Sequence, residues 1–267
     1  MTLAHLFLVA VIQGITEFLP VSSSGHLALI PHLTSLPDQG QTIDVAVHVG
    51  TLGAVVLFFW QDVRMGLAGV PRMLTGRIDT PGARLAFLLA IATIPAIVIG
   101  LILKLTGLND AMRSVKVIAW TMILFGLVLY WVDQKGASEK NADDWTLRDA
   151  VIMGLWQALA LIPGTSRSGA TISGARALGY ARHDAAKLSM LMSIPTIFAS
   201  GVLLGSEVVA TANMQVAKDG AIAAVLAFAS ALLALSLMMR LLRSVSFTPY
   251  VVYRIALGAV LLFIAYQ

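Results

Sequence analysis

Cysteine is absent from the 267 residues, so disulfides, thiolate metal sites and thiol catalysis are excluded. Charge is scarce as well. Asp, Glu, Lys and Arg make up 12% of the chain, where soluble domains carry about 25%. No polar stretch is long enough for a soluble catalytic domain, so any chemistry belongs to the apolar part. A basic leader is also missing. "MTLAHLFLVAVIQG" has no positive n-region and no small-residue cleavage site, and a cleaved signal peptide is not expected. Hydrophobic residues, by contrast, make up 58%. The chain reads as an all-α integral membrane protein, with one membrane domain over 1–267. Its formal net charge of +4 reflects loop lysines and arginines that set orientation. Nucleic acid is not an expected partner.

A helix needs about 20 apolar residues to cross the hydrocarbon core. Six stretches serve: 44–60, 85–103, 117–132, 188–206, 220–239 and 249–266. Trp60, Tyr130, Trp131 and Tyr250 stand at their ends as interfacial aromatics would. Two further apolar segments, 1–35 and 149–183, are interrupted by Pro20 and Pro163, which break helices. Gly25, Gly164 and Gly169 permit unusual backbone angles there. Irregular backbone at membrane depth survives only where protein or water satisfies its polar groups. Both segments are therefore expected to be re-entrant helical hairpins. Placing the connections 60–84, 133–148 and 240–248 and the exit of the second hairpin inside collects twelve lysines and arginines there. The segments 1–43, 104–116 and 207–219, placed outside, hold four. The positive-inside rule then puts both termini outside. Arg167 and Arg254 are left at membrane depth, and Arg254 has no assigned role.

The two interrupted segments resemble each other. Gln13 and "SSSG" (22–25) recur 144 residues on as Gln157 and "SRSG" (166–169), and three spans follow each copy. An odd number of spans makes the second copy enter from the opposite face. That predicts an inverted-topology repeat with halves 1–132 and 149–267, joined by the polar connector 133–148. Binding sites in such folds lie near the midplane, at the repeat interface.

Ionisable residues inside a membrane are expensive and mark functional sites by default. The first break offers Gln13, Glu17, Ser22, Ser23, Ser24 and His26, and the second offers Ser166, Arg167, Ser168 and Thr171. Gln13 and Glu17, four apart, share a helix face. The serines fit the N-caps of the two short helices, whose N-terminal amides and dipoles suit phosphate. Arg167 adds a planar fork for phosphate oxygens. Each has a plainer explanation: Gln13 bonding a neighbouring helix, Glu17 merely pairing Arg167, His26 a satisfied buried histidine, the serines only caps. His5, His32, His48 and His183 lack a comparable cluster of hydroxyls and charges beside them in the sequence and read as structural or interfacial. "DQKGASEKNADDW" reads as a solvated connector, and Met190 and Met192 as core.

"QGITEFLPVSSSGH" (13–26) and "PGTSRSGAT" (163–171) resemble the two signatures of the bacterial undecaprenyl-diphosphatases, the bacitracin-resistance family. The resemblance extends over the whole chain in length and span pattern. It implies removal of the terminal phosphate of undecaprenyl diphosphate, at the outer face of the bacterial cytoplasmic membrane. A divalent cation, Mg²⁺ or Ca²⁺, is implied with it. Glu17, Ser23, His26, Ser166, Arg167 and Thr171 fall on the family's functional positions, with Gln13 and Ser168 in support. Glu17 is then expected to coordinate the metal or act as base, with Gln13 orienting it, although Gln13 stands where a second carboxylate is allowed. Ser22 and Ser24 join the phosphate-binding set. Ser23, His26 and a water activated by His26 all remain open as nucleophile, with His26 slightly preferred as base or nucleophile. A polyprenyl diphosphate, membrane lipids and a second copy of the chain in a homodimer are the expected partners. The rival reading is a flippase for a phosphorylated lipid carrier. The other membrane lipid-phosphatase family does not fit, because no Arg-Pro motif is present and the first histidine after Arg167 is His183.

Overall fold

The computed structural model describes residues 1–34, 36–108, 112, 114–211 and 214–267, with only the backbone given for residue 32 and for 203–211. The side chain of His32 and the whole of Arg113 thus lie outside the described residues. Eleven α-helices run through the described residues, with no β-strand among them. In chain order they are α1 Leu3–Phe18, α2 Ser23–Leu33, α3 Gly40–Phe58, α4 Trp60–Leu74, α5 Pro81–Thr106 and α6 Val115–Lys135. They continue with α7 Leu147–Leu159, α8 Arg167–Ala177, α9 Arg182–Thr211, α10 Met214–Leu241 and α11 Thr248–Tyr266. Six of these, α3, α5, α6, α9, α10 and α11, are long and apolar enough to cross a membrane, and they coincide with the six stretches expected. Apolar side chains stay on their outer faces, such as Leu105 at 78% and Phe263 at 67% exposure, where only a lipid solvent is favourable.

Local chemistry explains the boundaries. Thr2, Thr80, Ser114 and Thr146 cap α1, α5, α6 and α7 through side-chain oxygens that accept backbone N–H groups. Pro81 occupies the first turn of α5, where its missing N–H costs nothing. The helix α4 lies in what the sequence presented as the connection 60–84. Its Trp60, Leu67 and Leu74 are exposed while Gly66 and Gly69 are buried, the two-faced pattern of a helix lying along an interface. Beyond α4, Arg72 pairs with Asp79 at 2.6 Å, and that hydrogen bond holds the Asp79 carboxyl below its usual range.

The helices recur at fixed offsets. α7 and α8 start 144 residues after α1 and α2, while α10 and α11 start 133 residues after α5 and α6. α1 packs against α10, and α7 packs against α5. Each half's first helix therefore lies on a helix of the other half that holds the equivalent place. α3 packs on α9 and α10, and α6 on α11.

The connector 133–148 is not simply solvated. Asp133 is buried and accepts from Arg176 Nε at 3.1 Å, Arg182 Nε at 2.8 Å and the Phe247 amide at 3.2 Å. Arg176, 1% exposed, also donates to the carbonyls of Gly136, Ala137 and Tyr180. A buried guanidinium has five donors to satisfy, and here the connector supplies most of the acceptors. Composition alone shows the polar residues but not that they turn inward. Met190 and Met192 are fully buried core residues, as expected.

Candidate active site

Both interrupted segments fold as helix, break, short helix. Between α1 and α2, Leu19 is extended and Ser22 has φ +73°. Between α7 and α8, Ser166 has φ +71°. These are the two non-glycine residues with positive φ among the described residues, a conformation that costs an L-residue about 1–3 kcal/mol. Of the three glycines that permit unusual angles here, Gly164, at φ +88°, is the one that takes a positive φ. Gly25 and Gly169 are small for another reason. A Cβ on Gly25 would meet Met122 Sδ at 2.6 Å, and one on Gly169 would meet Arg254 Nη1 at 2.7 Å.

The strained serines are the N-caps. Ser22 Oγ accepts from the Gly25 amide at 3.3 Å and Ser166 Oγ from the Gly169 amide at 3.1 Å. Each also touches the hydroxyl two residues on, Ser22 with Ser24 at 3.1 Å and Ser166 with Ser168 at 3.2 Å. The first residues of the short helices are thus Ser23 and Arg167, and they converge on one carboxylate. Ser23 Oγ donates to Glu17 Oε2 at 2.9 Å, and Arg167 Nη2 donates to Glu17 Oε1 at 2.8 Å. Gln13 Nε2 donates to the same Oε2 at 2.9 Å. Glu17 is buried and the Arg167 side chain 16% exposed. Removing one partner of such a pair costs about 3–5 kcal/mol, because it strands a charge.

A cavity of about 370 Å³ opens beside this cluster. Glu17, Ser22, Ser23, Ser24, Ser166 and Arg167 line it, together with Asp44 and His48 of α3, Gln157 of α7 and Thr196 and Ser200 of α9. Three expected residues stand elsewhere. His26 points its Nδ1 at the Ser22 carbonyl, 2.7 Å away. A carbonyl only accepts, so Nδ1 carries the proton. Its Nε2 faces the Tyr253 hydroxyl at 2.7 Å, and the two rings stack. Thr171 is fully buried, donating to the Arg167 carbonyl at 2.9 Å and meeting Ser189 Oγ at 2.5 Å. Ser168 Oγ donates to the Leu19 carbonyl at 2.9 Å, tying α8 to the first break.

His48 corrects the sequence reading. It has polar neighbours, but they come from other turns and other helices. Its Nδ1 donates to the Asp44 carbonyl at 2.6 Å, and its Nε2 lies 3.1 Å from Gln13 Nε2 and 3.7 Å from Glu17 Oε2. The available signal was Asp44 and His48, one helical turn apart in an apolar span.

Arg254 also acquires a place. It is fully buried and lies against both breaks. Nη1 donates to the Pro20 carbonyl at 3.4 Å, Nη2 to the carbonyls of Gly164 (2.9 Å) and Thr165, and Nε to Met122 at 2.8 Å. Carbonyls freed where a helix breaks need donors in a membrane, and this guanidinium supplies them to both breaks at once.

The same breaks carry the sequence's family features. The profile described as "Bacitracin resistance protein BacA" matches residues 6–260. The chain belongs to that family. It is 73% identical to the undecaprenyl-diphosphatase of Ruegeria pomeroyi, over 100% of both chains. It is 68% identical to the undecaprenyl-diphosphatase of Jannaschia sp., again over 100% of each. A more distant relative, the undecaprenyl-diphosphatase of Chromohalobacter salexigens, is 44% identical over 97% of each. As a BacA family member, the chain is a bacterial multi-pass membrane protein.

The donor set tests the expected divalent cation. No three His, Asp or Glu side chains converge to hold a metal among the described residues. Both oxygens of Glu17 are engaged by Arg167, Ser23 and Gln13. A resident cation held by protein ligands does not fit this cluster.

Proposed function

We propose that the chain removes the terminal phosphate of undecaprenyl diphosphate, releasing undecaprenyl phosphate and inorganic phosphate. The observation that carries this reading is the convergence of Ser23 and Arg167 on Glu17 at the cavity wall. In this reading Ser23 is the attacking hydroxyl, Glu17 the base for its proton and Arg167 the phosphate-binding fork, joined in one cluster. The names and high identity of the relatives support the substrate.

Ser23 Oγ attacks the terminal phosphorus, and its proton passes to Glu17. The bond from phosphorus to the bridging oxygen breaks, and undecaprenyl phosphate leaves. Glu17 hands that proton to the departing undecaprenyl phosphate, and water then attacks the phosphoserine with Glu17 again as base. The proton taken from water passes to Ser23 Oγ, which releases phosphate and restores Ser23. Phosphoryl transfer asks mainly for positioning and charge neutralisation. Arg167 and the free amides of α2 and α8 supply both, with Ser22, Ser24 and Ser166 around them. Ser23 is favoured over His26 as nucleophile because both ring nitrogens of His26 are engaged away from Glu17. Ser168 and Thr171 hold the second break in place. A divalent cation, Mg²⁺ or Ca²⁺, belongs to the substrate in this reading and arrives on the diphosphate.

The membrane placement follows the same reading. The interrupted segments are re-entrant hairpins of an inverted repeat, supported by the matched offsets, the paired strained serines and the reciprocal packing of α1 and α7. The cavity is lined by the first turns of α3 and the later part of α9, ends that charge counting puts outside. The site therefore opens to the outer face, with both termini on that side. Phosphate release by purified protein in detergent, with and without chelator, tests the function. A flippase, the reading that inverted repeats also favour, releases none.

A further inference from the structure

Gln13 is buried, and its carbonyl oxygen has no hydrogen-bond partner. A stranded amide oxygen costs about 1–3 kcal/mol, so something must hold the amide in this orientation. Turning it over would bring the oxygen against the Glu17 carboxylate, which only accepts. The amide N–H₂ is therefore the end that faces Glu17, and its second hydrogen points to His48 Nε2 at 3.1 Å. Nδ1 of His48 donates to the Asp44 carbonyl at 2.6 Å, so in the neutral ring Nε2 is a bare acceptor. The contacts form one directed chain: the Asp44 carbonyl orients His48, His48 orients Gln13, and Gln13 shares Glu17 Oε2 with Ser23.

We infer that His48 is a positioning residue for the phosphoryl transfer, acting through Gln13 to fix the Glu17 oxygen that receives the Ser23 proton. The inference rests on the phosphatase reading above for its kinetic consequence, while the contact itself does not. Gln13 has been grouped with Glu17 as a neighbour on one helix face; here it is the link between α1 and α3. A neutral histidine with its proton on Nδ1 suits this position because it presents an acceptor, without a proton, to an amide. Glutamine can place its own carbonyl oxygen there. Leucine cannot.

The test is kinetics on purified His48→Leu, His48→Gln, Gln13→Leu and the double His48→Leu, Gln13→Leu variant, with folding checked by thermal stability. His48→Leu and Gln13→Leu should each lower kcat by about tenfold, about 1.4 kcal/mol, and change KM less than twofold. The double variant should be no slower than the slower single variant, because both changes cut the same chain. His48→Gln should recover most of the wild-type kcat. Additive losses, a His48→Gln variant as slow as His48→Leu, or a rise in KM at constant kcat would each overturn the inference. A second readout is independent of activity. Ring ¹⁵N shifts of His48 should show the Nδ1–H form with an Nε2 acceptor signal that moves in Gln13→Leu. An Nε2–H ring would also overturn it. Wild-type protein that releases no phosphate but shows the expected ring shifts would count against the phosphatase reading and in favour of the contact.

Discussion

The two breaks share a backbone and differ in what they carry. Ser22 and Ser166 have nearly the same φ, cap the amide three residues on and pair with the hydroxyl two residues on. Yet the first helical residue is Ser23 in one and Arg167 in the other, and the Glu17 that receives both has Leu161 as its counterpart 144 residues on. In the proposed mechanism the repeated part makes the anion-binding frame, two helix N-termini with strained caps, and the unrepeated part makes the chemistry. One half brings the hydroxyl and its carboxylate, and the other brings the guanidinium. In the proposed repeat, two similar frames thereby form a single asymmetric site.

That division can be broken at several strengths. The largest effect should come from Ser23, the proposed nucleophile. Ser23→Ala should lower phosphate release by about a thousandfold or more, about 4 kcal/mol, with thermal stability nearly unchanged; turnover near wild type would return the nucleophile's role to His26. Next comes the residue that joins the two breaks. Arg254→Leu leaves buried carbonyls at Pro20, Gly164 and Thr165 without donors and should cost about 3 kcal/mol of stability, read as a lowered unfolding midpoint in detergent. An unchanged midpoint would mean that the breaks hold themselves. Arg167→Lys keeps the charge and loses the fork. It should reduce turnover more than tenfold, about 1.4 kcal/mol or more, and near-normal turnover would remove Arg167 from phosphate binding. The smallest effect belongs to the repeated caps. Ser22→Gly and Ser166→Gly each lose a cap but relieve a positive φ, and each should shift stability by only a few tenths of a kcal/mol. A large loss in one and not the other would show that the frame is less symmetric than its backbone.

Much of this was legible beforehand. The six spans were visible because about 20 apolar residues in a row have few other uses, and the structure starts and ends them within a few residues of the stretches read from sequence. The cluster of Glu17, Ser23 and Arg167 was legible because each stands in a polar break that an apolar chain does not otherwise tolerate. The amphipathic α4 was missed because its charges resemble a loop when no helical face is sought. From sequence the connector reads as solvated because Asp133 and Arg176 are 43 residues apart, and no local pattern announces their pairing.

The sequence by itself determined the membrane class, the two breaks and the residue types that meet there. Those follow from local composition, and the cost of a polar group in lipid is a local quantity. Only the tertiary structure decided that His48 joins the site while His26 turns to Tyr253, that the strain falls on serines and not on their glycines, and that Arg254 serves both breaks. Each of those depends on which distant helix lies opposite. Hydrogen bonds reach about 3 Å, and whether two groups come that close is settled by packing.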